Sequence, residues 1–435
     1  GGNVRDGHHC GICSDLIAGL DGQADYHAVN GSLGVAVGQV LLRSLQLLPG
    51  SVQVLLDGEE LENIFPIPRG ISYNAYVVLD EKTILLDTVD WSIGHLFFDN
   101  LETALQGRTL DYIVINHMEP DHCACLKEVI NRYPEVVIVG NAKTFTMIDQ
   151  FFGIEINKLV VKENDTLTTG KHTFTFVMAP LVHWPEVMVT YDSYDKTLYS
   201  ADAFGTFGAL DGALFNDEVD FEHEWLDDAR RYYANIVGKY GPQVQMLLKK
   251  ASSLEIATIC PLHGPVWRNN IDYIVSKYDC WSKYEPEEKG VVLAYGSIYG
   301  NTENVMEIIA SKLKQAGVKN VRMYDVSKVH VSNLISEVFH YSHLILAAPT
   351  YNSGIFPPME NFLSDMIALS LKKRSVALLE NGTWGALCAK HMRTKLETMK
   401  DMEIINEPIT IKSTLKTEQV DDIDNLVTTI VASIG

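Results

Sequence analysis

Asn116-His117-Met118-Glu119-Pro120-Asp121-His122 follows the apolar run Tyr112-Ile113-Val114-Ile115, which reads as a short strand. Four side chains able to bind a metal thus fall within six residues at a strand end, where rigid scaffolds present chemistry. Pro120 argues against a continuous helix or strand through the segment. A looped backbone can aim His117 and Glu119 one way and Asp121 and His122 another. That arrangement suits two adjacent metals better than one.

Three later segments complete the set. Leu181-Val182-His183-Trp184-Pro185 offers His183, Ser200-Ala201-Asp202-Ala203-Phe204 offers Asp202, and Pro261-Leu262-His263-Gly264-Pro265 offers His263. Each follows an apolar run and sits beside a Pro, Gly or Ala that shapes a tight loop. Any one of these histidines alone reads more simply as a hydrogen-bonded structural residue. Four histidines and three carboxylates at such loop ends read as one site.

Around these loops, Tyr76-Leu79 and Thr83-Leu86 form a hairpin pattern across Asp80-Glu81-Lys82. Val136-Val139, His172-Met178 and Val187-Tyr191 read as further strands and Glu224-Lys239 as a helix. Strands and helices mixed in this way predict stacked sheet and helix layers. Upstream, Leu33-Leu48 has the apolar spacing of a buried or amphipathic helix. Cys10-Gly11-Ile12-Cys13 is half of a metal knuckle without a second half, so no metal is assigned to it.

Downstream, the polar stretch Trp281-Lys289 reads as a linker. After it the rhythm becomes that of alternating strands and helices in a parallel, doubly wound sheet. The strands are Gly290-Tyr295, Val321-Tyr324, His343-Ala347, Val376-Leu379 and Glu403-Ile405, and Glu303-Gln315 reads as a helix. Three strands end in small polar loops. The first is Gly296-Ser297-Ile298-Tyr299-Gly300-Asn301-Thr302, a phosphate cradle of hydroxyls and backbone N–H groups before a helix N-terminus. The second is Pro349-Thr350-Tyr351-Asn352-Ser353-Gly354 and the third Asn381-Gly382-Thr383-Trp384-Gly385. Neither a nucleotide P-loop nor G-x-G-x-x-G is present. Tyr351 and Trp384 are candidates to flank a flat ring.

Bulk properties narrow the class. The 435 residues are enough for two or three domains. A net charge of -21 argues against duplex nucleic acid and against an anionic membrane surface as partners. Seven cysteines do not look like a secreted disulfide framework. No apolar run has the length of a membrane span, and the opening residues do not read as a secretory signal. A cytoplasmic setting is expected.

The metal pattern, H-x-[HE]-x-D-H followed at long intervals by His, Asp and His, resembles the metallo-β-lactamase fold. Glu119 stands where most zinc hydrolases of that fold have His, and this is the pattern of the flavodiiron proteins. Added carboxylate oxygens favour harder, redox-active iron over zinc. The resemblance implies that His117, Glu119 and His183 ligate one iron, that Asp121, His122 and His263 ligate the other, and that Asp202 bridges them. Leu61-Asn74 resembles the family's opening segment, whereas the first sixty residues lack its expected strand pair. The three later loops resemble flavodoxin, with FMN phosphate on the first and the ring on the other two.

Together these imply an α/β chain. Residues 1–60 are an atypical, unassigned segment, 61–288 a metallo-β-lactamase-like αββα sandwich holding two non-haem irons, and 289–435 a flavodoxin-like FMN domain. The implied activity passes electrons through FMN to the diiron centre, which reduces O2 to water or NO to N2O. The flavodoxin-like part closes the sequence, so a separate donor is expected, such as rubredoxin or a reduced flavin or deazaflavin system. A head-to-tail homodimer is also implied. The alternatives are a zinc-dependent hydrolase with an accessory flavodoxin domain, and an electron carrier whose first half is only scaffold.

Overall fold

The computed structural model describes residues 60–435 and, before them, the backbone of Leu41–Leu42 and Leu45–Val52. Two sheets make up the first part. One runs, in spatial order, through Leu41–Leu42, Leu45–Val52, Ile71–Leu79, Thr83–Leu86, Tyr112–Val114, Val137–Gly140 and Asn157–Val160. The other runs through Thr166–Thr168, Thr173–Met178, Met188–Asp192, Thr197–Tyr199 and Thr258–Cys260. Their facing sides share a core that includes Tyr76, Val78, Leu86, Phe176, Val189 and Leu198. A second core lies between the outer face of the first sheet and the helices Gly94–Leu105, Leu126–Arg132 and Ala142–Phe152. The layers are those expected of the sandwich.

The stretch 33–48, expected as a helix, is strand where it is described. Leu45–Val52 pairs antiparallel with Ile71–Leu79, Leu45 opposite Val78 and Val52 opposite Ile71. Pairing with a buried strand overrides weak helical spacing. Leu41–Leu42 pairs with it in turn, so a strand pair does open the sheet. Cys10 and Cys13 lie outside the described residues.

The third sheet is parallel along the path Val321–Asp325, Glu288–Tyr295, Tyr341–Tyr351, Arg374–Asn381 and Met402–Ile404. In chain order this is 2-1-3-4-5, the flavodoxin arrangement. Helices Asn301–Gln315 and Val420–Ile434 cover one face, and Val331–His340, Pro357–Ala368 and Cys388–Leu396 the other. The last strand is broken, and Ile409–Ile411 resumes the pairing with Arg374–Asn381. Asn406 fills the break: its Oδ1 accepts from Leu378 N and its Nδ2 donates to Leu378 O. No described helix is long and apolar enough to cross a membrane.

The polar stretch between the two parts is short and tied down. Helix Ile271–Ser282 ends just before it and strand Glu288–Tyr295 begins just after. The Glu287 side chain is buried and accepts from the Arg230 guanidinium, from Lys277 Nζ at 2.7 Å and from Trp281 Nε1 at 2.7 Å. The Tyr284 carbonyl accepts from the buried Arg374 at 2.7 Å. These charges are paired rather than solvated. The apolar core is likewise continuous across the junction, through Tyr233, Val237 and Tyr284 to Leu334, Val338 and Phe339.

The helix expected over 224–239 is present in four pieces. A π-helical turn, Phe221–Trp225, precedes the α-helix Leu226–Tyr232, and another, Tyr233–Val237, leads into the 3-10 turn Gly238–Tyr240. Such turns hold an additional residue and recur near functional sites. Here Tyr232 faces His263, with ring centroids 5.4 Å apart, while Tyr233 packs on Phe339 of the third layer at 5.9 Å.

Candidate metal centre and flavin cradle

The motif loop is fixed by its first residue. Buried Asn116 donates from N and Nδ2 to Asp87 at 2.7 and 2.8 Å, and its Oδ1 accepts from Thr190 Oγ1 at 2.7 Å. Pro120 then opens the short helix Pro120–Cys123 at its first turn, where a missing N–H costs nothing. His117 and Glu119 lie before that helix and Asp121 and His122 within it, so the two pairs diverge. His183, Asp202 and His263 enter from loops that follow strands of the second sheet. Next to His263, Gly264 has φ +77°, and a Cβ there would lie 2.2 Å from Thr206 Cγ2, so glycine alone fits.

All seven expected ligands converge, in two groups. His117 Nε2, His183 Nε2, Glu119 Oε2 and Asp202 Oδ2 lie 2.9 to 3.4 Å from one another along the observed pairs. His122 Nε2, His263 Nε2, Asp121 Oδ2 and Asp202 Oδ1 lie 3.1 to 3.8 Å apart. Donors bound about 2.0–2.2 Å from one ion, at tetrahedral to octahedral angles, stand about 2.8–3.6 Å apart. Both groups match that spacing within about 0.2 Å. Asp202 presents one oxygen to each, as a bridge does. Asp202 Oδ1 is buried with no hydrogen-bond partner among the described residues, as expected of an oxygen reserved for a cation. The donor set therefore fits two metal ions.

A further trio, His172, Asp192 and Asp195, does not fit in the same way. His172 Nδ1 and Asp192 Oδ2 are 2.6 Å apart, the length of a charge-assisted hydrogen bond and too close for two ligands of one ion. This pair clasps a hairpin.

The centre's charges support one another. Burial opposes protonation of His183, but Asp202 and Glu119 outweigh it and push its pKa up to about 9. His117 is held well above the usual histidine value, against burial, by Asp202, Glu119 and Glu186. Burial works to raise the pKa of Asp202, yet His117 and His122 hold it well below the carboxylate range. Protons on the imidazoles balance the carboxylates, and bound metal takes their place.

Sequence reasoning missed the surroundings. Glu186, three residues after His183, accepts from His117 Nδ1 at 2.8 Å and from Met118 N at 2.9 Å. The Ser72 carbonyl accepts from His263 Nδ1 at 2.7 Å. Tyr73 meets His263 and His122 edge-on, Trp184 meets His117 edge-on, and Tyr232 leans on His263. Only Glu186 carried a local signal, since it shares the loop of a candidate ligand.

In the flavodoxin-like part a cavity of ≈ 480 Å³ opens at the carboxyl ends of the parallel strands. Every flavin-site residue expected from the sequence lines it except Gly300, Tyr351 and Gly354. Ser297 Oγ accepts from Gly300 N at 3.1 Å, and Gly300, at φ +85°, caps helix Asn301–Gln315 so that its N-terminus faces the cradle. Tyr351 leans on Phe356 instead of lining the cavity. Trp384 and Tyr299 are 98% and 90% exposed at its rim. A fourth wall, not expected, is Ser413, whose N donates to Asn381 Oδ1 at 3.1 Å and whose hydroxyl bonds Thr383 Oγ1 at 2.7 Å. Hydroxyls, amides and a helix N-terminus without a lining carboxylate fit a flavin phosphate, and the exposed aromatics fit its ring.

Residues 71–264 match the ODP family of β-lactamases, and residues 293–404 match the flavodoxin family. The anaerobic nitric oxide reductase flavorubredoxin of Aliivibrio salmonicida is 34% identical over 340 residues, 76% of this chain and 67% of that protein. The protein of the same name from Escherichia coli O1:K1 / APEC is 31% identical over 336 residues, 76% of this chain and 69% of that one. Among solved structures, the rubredoxin oxygen:oxidoreductase of Desulfovibrio gigas superposes with a TM-score of 0.84 at 26% identity, covering 91% of this chain and 98% of that one. The flavodiiron protein of Giardia intestinalis gives 0.85 at 23% identity, covering 92% and 98%, and shows the shared fold. With both domains matched in the same order and a third of the aligned residues identical, the chain belongs to the flavodiiron protein family.

Proposed function

We propose that the chain is an oxidoreductase that takes electrons from a separate donor through FMN to a diiron centre, where O2 is reduced to water or NO to N2O. The observation that carries this reading is Asp202, with Oδ2 on the group of His117 and His183 and Oδ1 on the group of His122 and His263. A carboxylate shared in this way serves two metals at once. His117, Glu119 and His183 would hold one iron, and Asp121, His122 and His263 the other. Bound there, iron supplies open coordination positions and electrons, and FMN supplies electrons singly or in pairs.

The protein's own part is to hold, orient and exclude. Glu186 and the Ser72 carbonyl each accept a hydrogen bond from an Nδ1–H, leaving the Nε2 lone pair of His117 and of His263 to face the metal. Tyr73, Trp184 and Tyr232 wall the centre with rings, which favours a small apolar gas over bulk water. Ser297, Asn301 and Thr302 would hold the FMN phosphate, with Thr350, Asn352, Asn381 and Trp384 beside the ring. We assign the metal domain to 61–288 and the flavin domain to 289–435.

The remaining assignments extend this reading. The names of similar proteins include both a nitric oxide reductase and a rubredoxin oxygen:oxidoreductase, so either gas is a substrate to test and rubredoxin a donor to test. The exposed rim at Tyr299 and Trp384 supports a head-to-tail homodimer that sets the flavin of one chain beside the irons of its partner. The described cysteines are all free, in keeping with a reducing cytoplasm. Purified chain should contain about two irons and one FMN. Anaerobically reduced protein, mixed with O2 or with NO in stopped flow, should reoxidise within the enzyme's turnover time with at least one gas. Stoichiometric zinc with no reoxidation by either gas would replace this reading with the zinc-hydrolase one.

A further inference from the structure

The two halves of the metal centre have the same inner composition. Each offers two imidazoles, one carboxylate of its own and one oxygen of Asp202. They differ in what stands behind the imidazoles. Behind His117 is Glu186, 1% exposed, whose Oε1 accepts from both His117 Nδ1 and Met118 N. Its Oε2 is buried without a hydrogen-bond partner, and no lysine or arginine pairs with it among the described residues. Its negative charge is therefore spent on His117. Behind His263 is only a neutral carbonyl, that of Ser72. Behind His122 there is nothing, because its Nδ1 is buried and unpartnered. The other buried carboxylate nearby, Asp87, is occupied by Asn116 N, Asn116 Nδ2 and His117 N.

A carboxylate on the far nitrogen of a ligating imidazole fixes its tautomer and ring orientation and raises its basicity. Resting on the two-metal reading above, we infer that Glu186 is a positioning residue that makes the half built on His117, Glu119 and His183 the tighter metal site. That half fills first. The half built on Asp121, His122 and His263 is the weaker and more exchangeable one. With inner ligands matched, the asymmetry of the pair comes from a residue that touches neither metal.

The test is a Co2+ titration of the chelator-stripped full chain, followed by its visible absorption. This needs no assumption about the native metal and no turnover. Wild type should take up Co2+ in two steps, the first tighter. The first step should survive His263→Ala and disappear in His183→Ala. In Glu186→Gln the side-chain oxygen can still accept from His117 and Met118, so geometry is kept and only the charge is lost. The first step should then weaken by about 10-fold, and in Glu186→Ala by up to about 100-fold, with the second step unchanged. A first step unaltered in Glu186→Gln, or both steps weakened alike, overturns the inference. A wild-type chain that takes up only one Co2+ would instead count against the two-metal reading itself.

Discussion

The metal centre and the flavin cradle are built in opposite ways. The centre is assembled from loops as far apart in sequence as His117 and His263, and its imidazoles are buried. Its ligands are already at metal-binding separation, held by one another's charge and by outer hydrogen bonds. The cradle comes from loops at the ends of three neighbouring strands of one parallel sheet. Its polar groups are bonded in place, yet its aromatic faces stand in solvent. One site is preorganised by electrostatics and closed, while the other is preorganised by backbone and open to its ligand.

That contrast can be broken most severely at Asp202. Asp202→Ala removes the carboxylate common to both halves, so iron should fall below one per chain and gas reduction to background. Flavin content should stay near one per chain; a parallel loss of flavin would show that the sites are not separately built. Next comes the junction. Glu287→Ala leaves buried Arg230 with only the exposed Asp227 as its ion partner, an effect of at most about 3–5 kcal/mol on unfolding. Urea unfolding followed by flavin fluorescence and by metal release should then show two transitions in place of one. Coincident transitions would mean that the shared apolar core alone couples the domains.

A smaller effect is expected at the open site. Trp384→Ala should weaken FMN by about 10-fold, the upper range for an aromatic stacking contact, with iron content intact. The smallest concerns pH. Because His183 is raised from 6.5 to about 9, protonation favours the folded, metal-free chain. That contribution is complete below pH 6.5 and lost as pH rises through about 9. Thermal scans of stripped protein should therefore show Tm falling over this interval relative to loaded protein, in which metal replaces the proton. Parallel curves for the two forms would remove the closed site's electrostatic character.

What the sequence disclosed follows the same division. The seven converging side chains were legible because strand ends and adjacent Pro or Gly mark them locally, and the cradle loops because each follows an apolar strand. Tyr232 and Ser413 were not, since their roles depend on which residues they meet in space, and Glu186 was marked only by sharing the loop of His183. Where 33–48 is described, at Leu41–Leu42 and from Leu45 on, its spacing of Leu residues misled because it cannot show that Ile71–Leu79 waits to pair with it. The run around Glu287 read as a tether because charge alone does not reveal a partner as distant as Arg230.

The helix with two π-helical turns has a bearing on how such a protein can be recombined. Three successive residues face two ways: Arg231 donates to Ser332 and Tyr233 packs on Phe339, both of the flavodoxin-like part, while Tyr232 walls the metal centre at His263. The crossover point that looks natural in the gene, just after Glu288, thus separates this helix from the residues it packs on. A chimera exchanging flavin domains at that point would inherit a helix cut to fit its former neighbour. Grafts that carry residues 231–237 along with the incoming domain should fold more readily, but they import Tyr232 as well. Swapping the flavodoxin-like module would then alter the wall of the metal centre as well.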